Sequence, residues 1–250
     1  MSPRSPLMQS SWGNDLNQDT LRNQINNVKF IKDKKLFIKS KMRIYDISRE
    51  ISEDMVIYKN RKEKAPKIGI TRTLKEGANE SKLDIHVHTG THVDAPYHVL
   101  DNGKRIDELN PDKFMGKCVV LDFTKEKNSI TENSLTKIKN SKLKINKDDI
   151  VLLKTKNQPE KEFDFNFAYL EKTGAEYLAS KKIKAVGIDS LGIERNQPNH
   201  ITHSILAGKN ILIFEGLDLS KIKQGRYFFH GLPMKIKNGD ASPVRAILVA

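Results

Sequence analysis

Residues 88–98 read HTGTHVDAPYH, a stretch that places three histidines and one aspartate within eleven positions. His86 precedes it, so four of the chain's seven histidines fall within 13 residues. Imidazole and carboxylate groups together suit zinc, manganese or iron. The stretch lacks the glutamate that follows the first histidine in the helical H-E-x-x-H motif, so it predicts a metal site on extended chain rather than on a helix.

The residues around the first two histidines predict how this half of the stretch folds. Residues 83–87 alternate apolar and polar side chains, as a half-buried strand does. His86 and His88 would then point to the same face. Gly90 permits a sharp turn or a close approach of the backbone to an ion. We therefore expect a strand and a turn to present His88, with His86 as an ordinary polar residue that orients a ligand at most.

The second half of the stretch completes a candidate ligand set. His92 and Asp94 are two positions apart, so in extended chain they share a face. Together with His88 they would supply three ligands and leave one position open, which is typical of a catalytic metal rather than a structural one. His98 follows a few residues later and is expected nearby.

A second group of candidate residues lies far along the chain, at His200, His203 and Glu215. Residues 211–214 form an apolar run of strand length, and Glu215 follows at its C-terminal end, a common place for site residues in α/β folds. If His203 and Glu215 reach the first cluster, a second metal can be held, with Asp94 and Glu215 as bridges.

Length and composition limit the possible classes of protein. The chain has 250 residues with 37% hydrophobic content, which is enough for one sizeable core. Its net charge of +13 raises the possibility of a nucleic-acid or other anionic partner. No recognition motif accompanies the charge, so a solvated lysine-rich surface is favoured over nucleic-acid binding.

The single cysteine, Cys118, lies in an apolar run and is expected to be a small buried residue. One cysteine excludes an intramolecular disulfide and a multi-cysteine zinc site. No stretch approaches roughly 18 apolar residues, and the N-terminus lacks the order of a secretory signal, so no membrane span is expected. These features predict a reducing, cytoplasmic setting.

Residues 1–41 and residues 42–250 differ in pattern. The first segment is polar, then lysine-rich, and holds the only tryptophan, Trp12. It is either a real extension that packs on the body or on a partner, or a non-native leader with Met42 as the natural first residue. The second interpretation is favoured because the pattern changes abruptly at Met42. Residues 42–250 are expected to form a single domain.

Short apolar runs outnumber helical patterns in the second segment. Strands are predicted at 43–47, 67–74, 83–87, 118–123, 150–153, 185–188, 211–214 and 244–249. The spacing of Phe167, Leu170, Tyr177 and Leu178 predicts a helix over 167–182. A second helix is expected over 130–139, with Thr131 as its N-cap. Strands on both sides of the helices indicate an α/β body rich in β-structure.

The motif H-x-G-T-H-x-D-x-P-x-H at 88–98 closely resembles the signature of the bacterial kynurenine formamidase family, a cyclase-like family of metal-dependent hydrolases. Further segments that resemble the family together cover nearly all of 42–250. They are RIYDISREIS at 43–52, AVGIDSLGIE at 185–194, THSILAGKNILIFEGLDL at 202–219 and GDASPVRAI at 239–247. The resemblance implies a swivelling β/β/α domain, rich in β-structure with few helices.

The resemblance also implies a ligand set for two divalent metals, zinc in the first place and manganese as the alternative. His88 and His92 would bind the first metal, and His203 would bind the second. Asp94 would bridge the two, and Glu215, twelve residues after His203, would contact both. His200 does not match this spacing and is not expected to bind metal directly.

Two further roles come from the same resemblance. His98 would be the proton donor and acceptor. Tyr58 falls where formamidases have a tryptophan that contacts the substrate ring, but the chain then reads Lys-Asn-Arg-Lys in place of the family's Pro-Gly-Asp. The metal chemistry is therefore indicated more strongly than the substrate.

The leading hypothesis is hydrolysis of N-formylkynurenine to kynurenine and formate, a step of tryptophan catabolism. The altered stretch after Tyr58 keeps open another small aromatic or cyclic amide, such as isatin. A basic nucleic-acid-binding protein on a retained fold is the third hypothesis. The resemblance further implies a homodimer or homotetramer. Of the remaining polar candidates, His230 is expected to pack locally or to cap a turn, and Asp189 is either a site residue or a turn former.

Overall fold

The fold is built around one large sheet whose central strands are parallel. The computed structural model describes residues 42–138, 140–156 and 162–250, and Arg43–Ala250 form one compact unit. In spatial order the nine strands of this sheet are β1 (Ile44–Asp46), β13 (Ile247–Val249), β11 (Gly225–His230), β5 (Met115–Asp122), β7 (Ile150–Lys154), β9 (Ala185–Ile188), β10 (Leu212–Glu215), β4 (His92–Asp94) and β12 (Ala241–Pro243). The four strands β5, β7, β9 and β10 are parallel, and their neighbours on both sides are antiparallel.

Smaller elements surround this sheet. A hairpin consists of β2 (Lys67–Arg72) and β3 (Glu80–Asp84), and a short parallel pair consists of β6 (Ser129–Ile130) and β8 (Tyr169–Leu170). The α-helices of the described residues are α1 (Glu132–Thr136), α2 (Lys172–Ser180) and α3 (Ile201–Ala207). Short 3-10 helices lie at Tyr58–Asn60, Lys62–Lys64, Leu74–Glu76, Pro96–His98, Ile106–Glu108, Pro111–Phe114, Ser141–Leu143 and Pro198–His200.

The parallel strands are apolar on both faces because both faces are covered. In β5, Cys118 and Val120 belong to one core cluster, whereas Val119 and Leu121 belong to the other. The second cluster includes one buried leucine from each helix, namely Leu135, Leu178 and Leu206. The first cluster includes large side chains from outside the parallel strands, among them Ile47, Phe114, Phe229 and Leu248. Such double coverage explains why these strands read as continuous apolar runs.

Most of the predicted strands are confirmed. Seven of the eight predicted runs contain a strand, and only 83–87 fails. There the strand β3 ends at Asp84, and all of its side chains are exposed. The alternation at 83–87 does not mark a half-buried strand, because β3 pairs with β2 in a hairpin whose side chains are all exposed.

The two predicted helices are present but shorter. Thr131 caps α1 as expected, and its Oγ accepts a hydrogen bond from Ser134 N at 3.3 Å. Residue 139, at the end of the predicted range, lies outside the described residues. The helix predicted over 167–182 begins only at Lys172, because Tyr169–Leu170 form strand β8 instead. Gly174 lies where α2 touches the chain beside it, since a Cβ there would be 2.5 Å from the carbonyl oxygen of Ile130.

The expected α/β body, rich in strands with few helices, is confirmed. Cys118 is fully buried, as expected. The predicted extension at 1–41 lies outside the described residues, so the domain boundary at Met42 stays a prediction. In the part of the chain that the structure describes, no helix has the length and hydrophobicity to span a membrane.

Candidate metal centre

The position of β4 between β10 and β12 decides which side chains meet. His92 pairs directly opposite Glu215 of β10, so their side chains project to the same face. Asp94 lies two residues further along β4 and shares that face. The backbone N–H of Ala95 donates to the carbonyl of Asp240 at 2.9 Å and so brings the residue before β12 to the same place.

A turn, rather than the expected strand, presents His88. The N–H of Thr89 donates to the carbonyl of His86 at 3.0 Å, so the chain reverses immediately before the ligand stretch. His86 is exposed and does not share a strand face with His88, although it lines the same cavity. His88 is therefore not presented by a strand. The hairpin strand β3 ends at Asp84, and a tight turn after it carries His88.

The Gly-Thr pair of the motif ties this turn to β10. Thr91 donates its hydroxyl hydrogen to the carbonyl of Gly216 at 2.6 Å and accepts the N–H of Arg49 at 2.8 Å. Gly216 has a φ of +65°, and a Cβ there would lie 2.3 Å from the carbonyl oxygen of Gly90. Because Gly216 follows Glu215, this contact fixes the two ligand-bearing segments against each other.

Two carboxylates lie between two groups of histidines. In the first group, Asp94 Oδ1 lies 3.0 Å from His88 Nδ1 and 3.5 Å from His92 Nε2. Glu215 Oε2 lies 3.4 Å from the same His92 nitrogen. In the second group, His203 Nε2 lies 3.7 Å from Asp94 Oδ2 and 3.5 Å from Glu215 Oε1. Each carboxylate thus directs one oxygen to each group, as a bridging ligand would.

The potential ligand atoms are arranged as they would be around a cation, rather than in hydrogen bonds with one another. His92 Nδ1 donates to the carbonyl of Gly90 at 3.0 Å, which leaves Nε2 as the free ligand atom. That Nε2 and both oxygens of Asp94 are buried and have no hydrogen-bond partner within the described part of the chain. Ligands held about 2.0–2.2 Å from a tetrahedral ion are separated by about 3.3–3.6 Å, close to the distances seen here. The chemistry of these residues therefore fits a bound metal.

Burial and neighbouring carboxylates act in opposite directions on the histidine charges. Burial alone would lower the pKa of His88, but Asp94 and Asp240 outweigh it and raise that pKa to about 9. Burial likewise opposes a charge on His203, yet the surrounding carboxylates, Glu194 first, raise its pKa to about 10. In the metal-free protein, protons therefore occupy the site at neutral pH, and a metal must displace them.

His98 lies beside both groups and is partnered by Asp240. Its Nδ1 is 3.3 Å from Asp240 Oδ2, an oxygen that is also 2.9 Å from His88 Nε2. The rings of His98 and His203 are 5.7 Å apart, and the two residues form a possible ligand group with Asp94. This placement is compatible with a proton-transfer role and also leaves His98 within reach of a metal.

Glu194 is a second acidic residue that the sequence reasoning missed. Its buried carboxylate accepts the N–H of Thr202 at 2.8 Å, at the start of α3. The same carboxylate lies 2.8 Å from His200 Nδ1 and 3.3 Å from His203 Nδ1. Glu194 thus fixes the helix that carries His203 and turns the other nitrogen of that ring toward the carboxylates. His200, Glu194 and His203 form a further group that could hold a cation, so the expectation that His200 does not bind metal stays a prediction.

A cavity of about 570 Å³ opens onto the site, within the range typical of small-molecule pockets. Tyr58 lies in its wall, half-buried, with its ring 5.0 Å from the ring of Phe163 in an edge-to-face contact. Met55, Val56 and Ile57 extend the same wall and make it apolar. The predicted substrate-contacting residue therefore faces the cavity.

The two other polar candidates from the sequence, Asp189 and His230, make contacts within the fold rather than at the cavity. Asp189, at the end of β9, accepts the N–H of Thr155 at 2.8 Å, and burial raises its pKa to about 6. It links two buried segments and does not line the cavity. His230 lies on β11 with its ring 4.9 Å from that of Phe228, which agrees with the expected local packing.

The chain is similar in sequence to proteins of the cyclase-like group. Kynurenine formamidase of Salinibacter ruber is 30% identical, and the match covers 83% of this chain and 97% of that protein. Cyclase-like protein 2 of Arabidopsis thaliana is 32% identical over 83% of this chain and 79% of its own. The class of protein that the fold and site define is the cyclase-like hydrolases. The chain belongs to the family described as "Putative cyclase", whose model matches residues 45–195.

Solved structures support the same fold. A structure described as a predicted metal-dependent hydrolase from Bacillus stearothermophilus matches with a TM-score of 0.75 and 39% identity, covering 84% of this chain and 99% of that one. Isatin hydrolase A from Labrenzia aggregata matches with a TM-score of 0.76 over 92% of this chain and 99% of its own. At 20% identity, the second likeness concerns the fold alone. The resemblance to the cyclase-like family and its fold is thereby confirmed.

Proposed function

We propose that the protein is a metal-dependent amidohydrolase whose first substrate candidate is N-formylkynurenine, which it would hydrolyse to kynurenine and formate. One observation carries this proposal: Asp94 and Glu215 each direct one oxygen to each of two histidine groups, with His98 beside them. The relationship to curated kynurenine formamidases supports the choice of substrate.

His88, His92 and Asp94 would hold one cation, and His203 would hold a second that shares Asp94 and Glu215. Zinc is the proposed metal, with manganese as the alternative, because both accept imidazole and carboxylate ligands. When bound, such cations supply a water molecule whose pKa is lowered toward about 7, and they polarise the scissile carbonyl.

The protein's own groups would complete the reaction. His98 would pass a proton to the leaving nitrogen as the amide C–N bond breaks. Asp240 would hold His98 Nδ1 and so turn Nε2 toward the substrate. The apolar wall at Tyr58 would receive the aromatic ring of the substrate.

The direct test is a substrate panel paired with metal analysis. Purified protein loaded with zinc or manganese is assayed on N-formylkynurenine and on isatin, and the bound metal is counted by elemental analysis. Formate release from N-formylkynurenine, with up to two ions per chain, is the expected result. No turnover of N-formylkynurenine would reject it as the substrate, and no bound metal would reject the mechanism.

A second candidate reaction is ring opening of a cyclic amide such as isatin. The observation that favours it is the cavity wall, where Tyr58 is followed by Lys59 and Asn60 in a turn unlike the family's pattern. The fold likeness to isatin hydrolases is compatible with this alternative. Turnover of isatin alone in the panel would make it the better assignment.

We also propose a homodimer or homotetramer, in which the β2–β3 hairpin meets a second chain. Ile68 and Leu83 are opposite each other in this hairpin, Ile70 lies on the same face, and all three are exposed. Ile70 is the extreme case, with 78% of its surface accessible. An exposed apolar strand face of this kind usually marks a contact surface.

Sedimentation analysis tests this assembly. We expect Ile70→Asp to shift the protein toward the monomer. Lys82→Asp, placed on the other face of the same hairpin, is the control and should leave the assembly intact. A monomeric parent protein would reject the assembly outright.

A further inference from the structure

Two lysines line the cavity and have no carboxylate partner among the residues that the structure describes. Lys59 and Lys64 both belong to the wall, and Lys64 is half-buried. The ion pairs found among the described residues include neither of them. A half-buried ammonium group loses part of its hydration, and an anion that approaches it replaces the lost interaction.

The acidic residues of the cavity do not neutralise these lysines. Glu194, Glu215 and Asp240 are the carboxylates among the described lining residues. Each of them is engaged by histidines at 2.8–3.5 Å on the metal side of the cavity. Negative charge is thus concentrated at the metal centre, whereas the wall at Lys59 and Lys64 keeps positive charge.

The turn that carries Lys59 is held in an uncommon conformation. Lys59 has φ +56° and ψ +26°, and Asn60 has φ +53°, so two consecutive non-glycine residues are left-handed. The Asn60 side chain accepts the N–H of Phe163 at 3.0 Å, and the ring of Phe163 packs on Tyr58. Strained backbone that neighbouring contacts hold in place is typical of functional sites.

We propose that Lys59 and Lys64 form a subsite for a carboxylate on the substrate, at the end remote from the scissile amide. This inference rests on the proposed amidohydrolase function and narrows its substrate class to acidic aromatic amides. The ring of such a compound would lie along the apolar wall at Tyr58, its amide at the metal centre and its carboxylate at the lysines. A neutral lactam such as isatin would leave the lysines unused.

A matched pair of substrates tests the subsite. Formanilide and 3-formamidobenzoate share the aromatic formamide and differ by one carboxylate. The variants are Lys59→Met, Lys64→Met and the double variant, since methionine keeps the apolar stem. Lys62→Met is the control, because Lys62 lies on the same 3-10 helix as Lys64 but does not line the cavity.

The double variant should raise KM for 3-formamidobenzoate at least roughly tenfold, because the loss of even one partly solvated charge-assisted contact has about this effect. Its kcat on that compound and both parameters for formanilide should be unchanged, as should all parameters of Lys62→Met. Equal effects on the two substrates, or an equal effect of Lys62→Met, would overturn the subsite.

Calorimetry separates this inference from the proposed reaction. If the parent enzyme turns over neither formamide, the amidohydrolase assignment fails while binding of 3-formamidobenzoate still tests the lysines. Binding that the double variant weakens would support the subsite on its own. Undetectable binding to the parent protein, or binding that the double variant leaves unchanged, would overturn it.

Discussion

His98 is the single residue whose removal should separate chemistry from metal binding. His98→Ala should lower kcat about 10²–10⁴-fold, because the leaving nitrogen loses its proton donor. Metal content should be retained, since the five proposed ligands remain. Steady-state kinetics and elemental analysis check both parts, with His230→Ala on β11 as the control. Undiminished turnover would exclude His98 from the mechanism, and loss of metal would make it a ligand.

Glu194 should act on the metal through His203. Glu194→Gln keeps the shape of the side chain but removes the charge that faces His203 Nδ1 at 3.3 Å. Losing such an outer partner of a ligating histidine typically weakens metal affinity about 10–100-fold. Titration of the metal-free protein with Co²⁺ or Zn²⁺ measures this loss, and Glu176→Gln, an exposed position on α2, is the control. An unchanged affinity would leave Glu194 with a purely structural role.

The sequence pointed to the candidate ligands better than to their partners, for a physical reason. His88, His92 and Asp94 are close in sequence, so their spacing on extended chain already brings them together. Asp240 reaches His98 across 142 residues, through the pairing of β12 with β4. Sequence periodicity reports only on nearby residues. It therefore cannot identify an acidic residue, such as Asp240, that meets its partner through the order of the strands in the sheet.

At the scale of elements, we expect the stability of the fold to be most sensitive to substitutions where the turn before β4 contacts the end of β10. Thr91→Val removes a hydroxyl that donates to Gly216 and accepts from Arg49, at nearly constant volume. The carbonyl of Gly216, which is buried, and the half-buried N–H of Arg49 then lose their partner, which costs about 1–3 kcal/mol of unfolding free energy. Denaturant unfolding measures this cost, with Thr71→Val on the exposed hairpin as the control. Equal stability of both variants would show that Thr91 is not the link.

The sequence predicted elements well where burial alone decides the local structure. The parallel strands are buried on both faces, so continuous apolar runs identify them. The failures occur where tertiary context decides, as at 83–87, where an alternating pattern stands in an uncovered hairpin. In 167–182, the pairing of β8 with β6 takes the first residues away from the helix. Strand β4 was not predicted as a strand, because only its pairing with β10 and β12 defines it.

For the whole molecule, the stabilisation gained from metal should increase with pH. In the metal-free protein, His88 and His203 have pKa values of about 9 and 10, above the ordinary value of 6.5. Their charged forms contribute stability fully below about pH 6.5, and this contribution is lost as pH rises through 9 to 10. Metal must displace these protons, so its apparent affinity rises over the same range.

Thermal unfolding with zinc and with a chelator, from pH 6 to pH 8.5, measures this dependence. The difference in Tm between the two conditions should widen steadily with pH. In His203→Gln, which lacks one of the two titrating imidazoles, the widening should be smaller. A Tm difference that is constant across the range would contradict proton competition at the site.

The cavity wall from Met55 to Lys64 includes two short 3-10 helices outside the large sheet, whereas the five proposed ligands lie on β4, on β10, on helix α3 and in the turn before β4. The two parts are encoded by separate stretches of chain. Substitutions could therefore accumulate in the wall without disturbing the metal residues. Proteins that share this scaffold are therefore free to change their substrate specificity while they keep the same metal-site chemistry.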